Sequence, residues 1–309
     1  MICAITLNVA IDRRYVVENA AVGAVNRVQE CVCTAGGKGL NVARVAHALG
    51  APVIASGIAG GDSGRYILRA LDKEGIRHNF SMASGESRSC INIYDTVTGT
   101  QTEYLEPGMT VLPDEYEAFL GTFDRMCETC RIITMSGSLP KGLPIDTYAD
   151  LIKRARAKGI KVFMDSSGSS LKHALNEHPF YIKPNEDEIA ALTGCDPESE
   201  KDIASAAKEL QASGIERVVV SMGKRGALMA CAEGLYRAQP PEIKTVNTVG
   251  CGDSMTAAFA VAELNNMSCL EALRFAVATS AASALSIGTG SMDMADMKKL
   301  LPEISVWKL

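Results

Sequence analysis

Short apolar runs alternate along this chain with stretches in which apolar residues recur every three or four positions. The short runs have the length of strands, and several of them end in glycine, serine, aspartate or asparagine. Continuous apolar strands of this kind are typical of a sheet that is buried on both faces. The predicted strands are residues 2–7, 54–57, 132–136, 161–165, 181–183 and 218–221.

Three longer stretches between these strands show the helical period and end before a glycine, a residue that commonly terminates helices. They are residues 40–49, 146–158 and 201–213, followed by Gly50, Gly159 and Gly214. Strands that alternate with helices predict an α/β fold with a mostly parallel central sheet covered on both faces. Ligands of such folds bind at the carboxyl ends of the strands.

Two segments interrupt this alternation, residues 12–34 and 88–105. Both contain residues that alternate with a period of two, and the second contains a turn around Gly99. The pattern predicts hairpins that form a small antiparallel sheet beside the main one. Because both segments adjoin glycine-rich loops, we expect this sheet to cover a site as a lid. Two edge hairpins without a lid role are the alternative.

Composition and charge exclude several classes of protein. Of the 309 residues, 47% are hydrophobic and 22% are charged, as in a soluble globular protein, and the formal net charge of -5 does not favour a nucleic-acid partner. No apolar run has the length of a membrane span. The 10 cysteines lie mostly in apolar runs without a preceding signal peptide, which indicates the reducing cytoplasm. Cys127 and Cys130 have the spacing of half a zinc site, but no second pair matches, which favours two ordinary helix-end cysteines.

The stretch TVGCGD, from Thr248 to Asp253, precedes an apolar run that predicts a helix. Free backbone N–H groups at a helix start bind anions, and glycine lets a phosphate approach them closely. A carboxylate among these donors can accept a proton from a hydroxyl while the amides hold the charge that develops on the phosphate. The stretch therefore indicates phosphoryl transfer to an alcohol.

A second glycine-rich loop, GGKGLN from Gly36 to Asn41, precedes the first predicted helix. It lacks the GxxxxGK[ST] spacing of a Walker A loop. Its glycines, lysine and amide suit a polyhydroxylated ligand. A tight turn between a strand and a helix is the alternative interpretation of the same residues. The stretch at Gly250 also fails as a dinucleotide fingerprint, because Met255 stands where the third glycine belongs.

Two further loops follow predicted strands. Lys183 to Glu188 places an amide and a carboxylate three residues apart, which suits a magnesium ion held through water, or equally an acidic helix N-terminus. Ser221, Gly223 and Gly226 follow the strand at residues 218–221 and could brace a nucleotide. A plain hairpin turn is the alternative for this loop.

Residues 36–43 and 248–253 together resemble the two signatures of the PfkB (ribokinase-like) carbohydrate kinases, and residues 6–12, 57–64, 136–140, 165–168 and 183–188 are similar to that family as well. The resemblance implies one ribokinase-like three-layer α/β/α domain over residues 1–309, with a small antiparallel β-sheet lid that often pairs subunits in relatives. Within the family the chain is most similar to the phosphosugar branch, which includes 1-phosphofructokinase and tagatose-6-phosphate kinase. The expected ligands are a small phosphosugar, ATP and Mg²⁺.

The resemblance also implies a role for individual residues. Asp253 would be the general base, and the amides of Gly250, Cys251 and Gly252 would form the anion hole for the γ-phosphate. The residues at the sugar hydroxyls would be Asp12, Gly36, Gly37 and Asn41, and those near the sugar phosphate Arg27, Lys38, Arg88 and Ser138. The residues of the ATP site would be Lys183, Asn185, Ser221, Gly223, Gly226 and Thr248, with Asn185 and Glu188 organising Mg²⁺ through water.

The chain departs from the family pattern at Cys251, where alanine is usual, and at Val9, where proline is usual. A passive small residue is favoured at Cys251, because no resolving thiol is evident. The expected reaction is phosphorylation of a hydroxyl of fructose 1-phosphate or tagatose 6-phosphate to the bisphosphate. Fructose 6-phosphate, an unphosphorylated sugar or a nucleoside are alternative acceptors, and a non-catalytic sugar-phosphate sensor is a further alternative.

Overall fold

The computed structural model describes residues 1–309 and contains two sheets and ten α-helices. The strands are β1 Ile2–Thr6, β2 Ala10–Val17, β3 Glu30–Gly36, β4 Val53–Gly60, β5 Arg77–Ala83, β6 Arg88–Asp95, β7 Gln101–Leu105, β8 Ile132–Ser136, β9 Lys161–Asp165, β10 Tyr181–Ile182, β11 Arg217–Ser221, β12 Ala227–Cys231, β13 Gly234–Gln239 and β14 Ser305–Lys308. The helices are α1 Lys38–Ala48, α2 Gly61–Lys73, α3 Pro113–Thr129, α4 Thr147–Ala157, α5 Gly168–Leu175, α6 Glu186–Thr193, α7 Glu200–Ala212, α8 Cys251–Leu264, α9 Cys269–Ala284 and α10 Met294–Leu300.

The larger sheet has ten strands in the order β14-β13-β12-β11-β10-β9-β8-β1-β4-β5. Pairing is parallel from β11 to β5 and antiparallel among β11, β12, β13 and β14. Ile2 and Ala4 of β1 belong to one hydrophobic cluster of 44 buried residues, whereas Cys3 and Ile5 belong to a second cluster of 36. Because successive strand residues point to opposite faces, the two clusters lie on the two sides of this sheet and form a three-layer α/β/α core.

The predicted fold class is confirmed, and β8 and β9 coincide with the predicted strands 132–136 and 161–165. The predicted helix 40–49 begins two residues earlier, at Lys38, and the strand predicted at 181–183 is shorter, since β10 ends at Ile182. No helix combines the length and the apolar character that crossing a bilayer requires. Cys127 and Cys130 lie at the end of α3, and no group of three or more His, Cys, Asp or Glu side chains is placed to hold a metal ion.

The smaller sheet has four strands in the order β3-β2-β6-β7 and contains both segments predicted as hairpins. The pairs β2–β3 and β6–β7 are antiparallel, while the central pair β2–β6 is parallel, with Ala10 opposite Arg88 and Asp12 opposite Cys90. Only Gly37 separates β3 from α1, so this sheet is joined directly to the first helix of the main layer.

Candidate active site

A cavity of about 620 Å³ lies between the small sheet and the carboxyl ends of the central strands. Its wall combines residues of β2, β3, β6 and β7 with the loops after β1, β8, β9 and β10 and with the starts of α1 and α8. The predicted site residues that line it are Asp12, Gly37, Lys38, Asn41, Arg88, Ser138, Lys183, Asn185, Glu188, Ser221, Gly250, Gly252 and Asp253. Those that do not line it are Arg27, Gly36, Gly223, Gly226, Thr248 and Cys251.

Asp253 lies in the first turn of α8, and its carboxylate is buried. Gly250 starts this helix in a left-handed conformation, with φ of 85°, and a Cβ there would lie 2.7 Å from the backbone nitrogen of Gly290. Asn41 Nδ2 donates a hydrogen bond of 2.8 Å to Asp253 Oδ2. Burial and the negative charge of Asp165 raise the pKa of Asp253 to about 7, although Lys38 and the Asn41 amide oppose this shift. The group is therefore poised to accept a proton near neutral pH.

The start of α8 offers backbone donors beside this carboxylate. The N–H groups of Gly250 and Gly252 donate to no backbone carbonyl, whereas the N–H of Cys251 donates to Thr248 O at 3.3 Å. Both free donors belong to residues that line the cavity. The helix terminus therefore provides an anion site adjacent to Asp253.

Cys251 does not line the cavity, and its Sγ lies 3.7 Å from the backbone oxygen of Asn247. Burial raises the pKa of this thiol to about 11. A thiol that remains protonated is a poor nucleophile. The passive role predicted for this side chain stays a prediction.

Asp165, at the carboxyl end of β9, holds two lysines that line the cavity. Lys38 Nζ lies 3.4 Å from Oδ1 and Lys183 Nζ lies 3.4 Å from Oδ2, and Thr256 Oγ1 donates to Oδ2 at 3.0 Å. Burial alone would raise the pKa of Asp165, but Lys183, Lys38 and Thr256 lower it to about 2. Asp165 in turn raises the pKa of Lys38. Asp165 was not among the predicted site residues, although its position at the carboxyl end of a buried strand is a signal that indicates such a role.

Asp12 projects from β2 into the lid side of the cavity. Burial raises its pKa to about 6, although the positive charges of Arg44 and Arg88 and the N–H of Gly37 lower it. Gly36 lies directly behind this carboxyl, since a Cβ at Gly36 would be 2.1 Å from Asp12 Cγ. Gly36 therefore makes room for Asp12 and contacts no ligand space itself.

Basic groups line the same end of the cavity. Arg88 donates from Nη1 to Glu106 O at 2.9 Å and has no carboxylate partner within salt-bridge distance. Arg14, which the sequence analysis missed, lines the cavity with its guanidinium 5.0 Å from the centre of the Tyr94 ring. Its position on β2, two residues after Asp12, places both side chains on one face of the strand, and this period is the signal that could have found it. Arg27 is exposed in the connection between β2 and β3 and does not reach the cavity of its own chain.

The opposite end of the cavity is formed by residues after β10 and β11. Asn185 caps α6: its Oδ1 accepts from Glu188 N at 2.7 Å, and Glu188 Oε2 accepts from Asn185 N at 2.9 Å. The helix N-terminus given as an alternative is therefore present. The other Glu188 oxygen makes no hydrogen bond, and Glu188 lines the cavity, so this oxygen is free to accept from a metal-bound water.

The loop that contains Ser221, Gly223 and Gly226 forms a hairpin turn, which was the alternative to a nucleotide-binding loop. Gly223 and Gly226 lie in the connection between the antiparallel strands β11 and β12, and a Cβ at Gly226 would be 2.2 Å from Ala238 O. Ser221 alone of these residues lines the cavity. The two glycines thus form the turn, and the nucleotide role predicted for them stays a prediction.

The arrangement of the cavity agrees with the family and the solved structures to which the chain is similar. The model of the pfkB family carbohydrate kinases matches residues 2–296. The structure of phosphofructokinase-2 from Escherichia coli is 31% identical, covers 97% of this chain and 98% of that chain, and has a TM-score of 0.91. A possible 1-phosphofructokinase from Thermotoga maritima is 27% identical over 100% of this chain and 99% of that chain, with a TM-score of 0.91.

The ribokinase of Arabidopsis thaliana, at 22% identity and a TM-score of 0.82 over 97% of this chain and 98% of that chain, shares the fold. The chain belongs to the pfkB family of carbohydrate kinases. It is accordingly an ATP-dependent phosphotransferase that acts on a sugar.

Proposed function

We propose that the protein phosphorylates a hydroxyl of a ketohexose phosphate, with fructose 1-phosphate or tagatose 6-phosphate as acceptor. The observation that carries the proposal is that Arg88 and Lys38 line the same cavity as the buried carboxylate of Asp253. Guanidinium and ammonium groups suit phosphate oxygens, and Arg88 forms no salt bridge with a carboxylate. A phosphate group on the acceptor sugar explains these cations better than an uncharged sugar or nucleoside does.

Asp253 acts as the general base in this proposal. Its pKa of about 7 allows it to accept the hydroxyl proton under neutral conditions. The free N–H groups of Gly250 and Gly252 stabilise the negative charge of the transferring phosphoryl group. These groups also argue against a non-catalytic sensor, which needs neither the base nor the donors.

The nucleotide occupies the end of the cavity formed by Lys183, Asn185 and Ser221. Lys183 would neutralise phosphate charge, and Asn185 and Glu188 would hold Mg²⁺ through water, where the ion would neutralise charge on the phosphate oxygens. Closure of the small sheet over the cavity excludes water, which would otherwise compete with the sugar as acceptor.

The assignment of the base is tested with Asp253→Asn. We expect this variant to bind ATP and sugar phosphate while turnover falls by about 10²–10⁴-fold, the usual contribution of a general base. Isothermal titration and a coupled ADP assay measure the two properties. Turnover within a few-fold of the parent protein would refute the role of Asp253.

The choice of acceptor is tested by a coupled assay with fructose 1-phosphate, tagatose 6-phosphate and fructose 6-phosphate. Escherichia coli phosphofructokinase-2 has been crystallised with fructose-6-phosphate, which makes this third sugar the principal alternative. Arg88→Ala should raise the KM for the phosphosugar by about tenfold or more and leave that for ATP nearly unchanged, because it removes a charge-assisted contact to phosphate. Arg65→Ala, at an exposed ion pair on α2, is the matched control. An unchanged sugar KM in the Arg88 variant would favour an unphosphorylated acceptor.

We further propose that two copies of the chain pair through their small sheets. Apolar side chains of this sheet and its connection are exposed, with Tyr104 at 61%, Leu105 at 63% and Val25 at 87%. Exposed apolar side chains can mark an interface, and the structure of a tetrameric form of Escherichia coli phosphofructokinase-2 has been determined. Light scattering should give twice the chain mass and a lower mass for Tyr104→Lys. A monomeric parent protein would exclude the pairing.

A further inference from the structure

Arg44 lies on α1 one turn after Asn41, outside the cavity that the other site residues line. Its guanidinium is bound on three sides. Nε and Nη2 lie 2.9 and 3.4 Å from the two carboxylate oxygens of Glu74, Nη2 donates to Ala35 O at 2.8 Å, and Nη1 donates to Asn41 Oδ1 at 3.2 Å. The group is therefore fixed in position and orientation.

This contact determines which way the Asn41 amide faces. A guanidinium has only hydrogen-bond donors, so the atom of Asn41 that meets Arg44 must be the oxygen. The amide nitrogen then points to the other side, where it donates to Asp253 Oδ2 at 2.8 Å. The backbone of Gly290 closes the remaining side, since a Cβ there would lie 2.5 Å from both Cβ and Oδ1 of Asn41.

We propose that Arg44 is a positioning residue for the base: it holds Asn41 in the one amide orientation that presents a donor to Asp253. The proposal rests on the role proposed above for Asp253. Without Arg44, rotation of the amide by half a turn would bring its oxygen to the carboxyl, an arrangement that suits only the protonated acid. Arg44 thereby favours the ionised base without touching either substrate.

Other charges also act on Asp253, and the test must separate them from this contact. Asp165 at the end of β9 disfavours the ionised carboxyl, while Lys38 of α1 and Lys183 after β10 favour it. The positive charge of Arg44 faces Glu74 and Asp12. A purely electrostatic influence of Arg44 on Asp253 would not need Asn41, whereas the proposed one does.

The experiment is a double-variant cycle read by ¹³C NMR titration of aspartate-labelled protein, with the Asp253 signal identified by its loss in Asp253→Asn. In Arg44→Met the ionisation constant of Asp253 should fall by about tenfold, the effect of losing one hydrogen bond to a charged group. In the Asn41→Ala background the same change at Arg44 should have almost no effect, because the two residues act as one unit. The kinetic counterpart is a lower kcat at pH 7 with little change in the KM for ATP.

Two controls accompany the cycle. Arg154→Met removes a guanidinium from a comparable ion pair on α4, with Asp150 at 2.8 Å, and should leave the Asp253 titration unchanged. Arg44→Lys retains a donor-only group and should keep the ionisation constant within about twofold of the parent value. This variant carries the test if Arg44→Met does not fold.

The proposal is overturned if Arg44→Met leaves the Asp253 titration unchanged, if its effect is the same with and without Asn41, or if Arg44→Lys behaves like Asn41→Ala. The NMR readout does not need turnover. A failure of the base assignment would appear as turnover in Asp253→Asn, and a failure of the Arg44 proposal would appear in the titration.

Discussion

The buried carboxylate of Asp253 should destabilise the folded protein when it is ionised. Asp253→Asn should therefore have a higher free energy of unfolding than the parent protein at neutral pH. The pKa of this group is about 7 in the folded chain, against the ordinary value of 3.8. Below pH 3.8 the carboxyl is neutral in the folded and the unfolded chain, and its burial does not lower the free energy of unfolding through ionisation. As the pH rises toward 7, only the unfolded chain releases the proton, so the folded state loses stability relative to the unfolded state.

The size of this loss follows from the difference between the two pKa values, which is 3.2. At about 1.36 kcal/mol for each pH unit, the cost is on the order of 4 kcal/mol above pH 7 and falls toward zero near pH 4. Asparagine has the shape of the neutral acid and can still accept from Asn41. Asp253→Asn should therefore be more stable than the parent protein by a few kcal/mol at pH 8 and by much less at pH 5.

Urea unfolding of the ligand-free proteins at pH 5, 6, 7 and 8 measures this difference. Asp62→Asn, which alters a carboxylate whose side chain is 92% exposed, is the matched control and should give a small difference at every pH. The reasoning is refuted if the stability gain of Asp253→Asn does not grow between pH 5 and pH 8, or if the variant is less stable than the parent at pH 8.

Three further predictions concern activity. The kcat/KM should rise with pH through a midpoint near 7, where Asp253 ionises. Asp165→Asn should move this midpoint to lower pH, because it removes a negative charge that raises the pKa of Asp253. A pH–rate profile of the variant with the same midpoint as the parent protein would contradict this prediction. Gly36→Ala should raise the sugar KM by about tenfold or more, since the new Cβ would lie 2.1 Å from Asp12 Cγ, and equal sugar binding by titration calorimetry would exclude the clash. Cys251→Ala should keep kcat within about threefold and the parent thiol should react slowly with iodoacetamide at pH 8, because its pKa is about 11; rapid inactivation would show an accessible thiolate.

The central strands were predictable because burial on both faces requires continuous apolar runs. Strands β8 and β9 coincide with such runs at residues 132–136 and 161–165. Strands β12 to β14 were not predicted. β12 is a fully buried apolar run that the same pattern could have identified, whereas β14 lies at the edge of the sheet, is mostly exposed and has no clear alternation. Helices α8 and α9 show no polar stripe, since nearly every residue of α8 from Asp253 to Ala262 is buried against α1, α9 and the sheet.

The candidate site was predictable where a motif is local and not where it depends on chain segments far apart. Gly250 to Asp253 form one turn, so their spacing alone indicates an anion site with a carboxylate. The clamp of Lys38 and Lys183 on Asp165 joins three elements, and only the tertiary structure brings them together. The segment around Gly223 is local but was still ambiguous, because its sequence is compatible with both a nucleotide-binding loop and a hairpin turn.

The single residue between β3 and α1 has a mechanical consequence. Gly37 adopts φ of 109°, and its carbonyl accepts the N–H groups of Leu40 and Asn41 at 2.9 and 3.1 Å. Because the connection between β3 and α1 is one residue long, a rotation of the small sheet would also rotate the first residues of α1. Under the proposed function, a movement of the small sheet on sugar binding would therefore be transmitted to Asn41 and, through its hydrogen bond, to the proton acceptor Asp253.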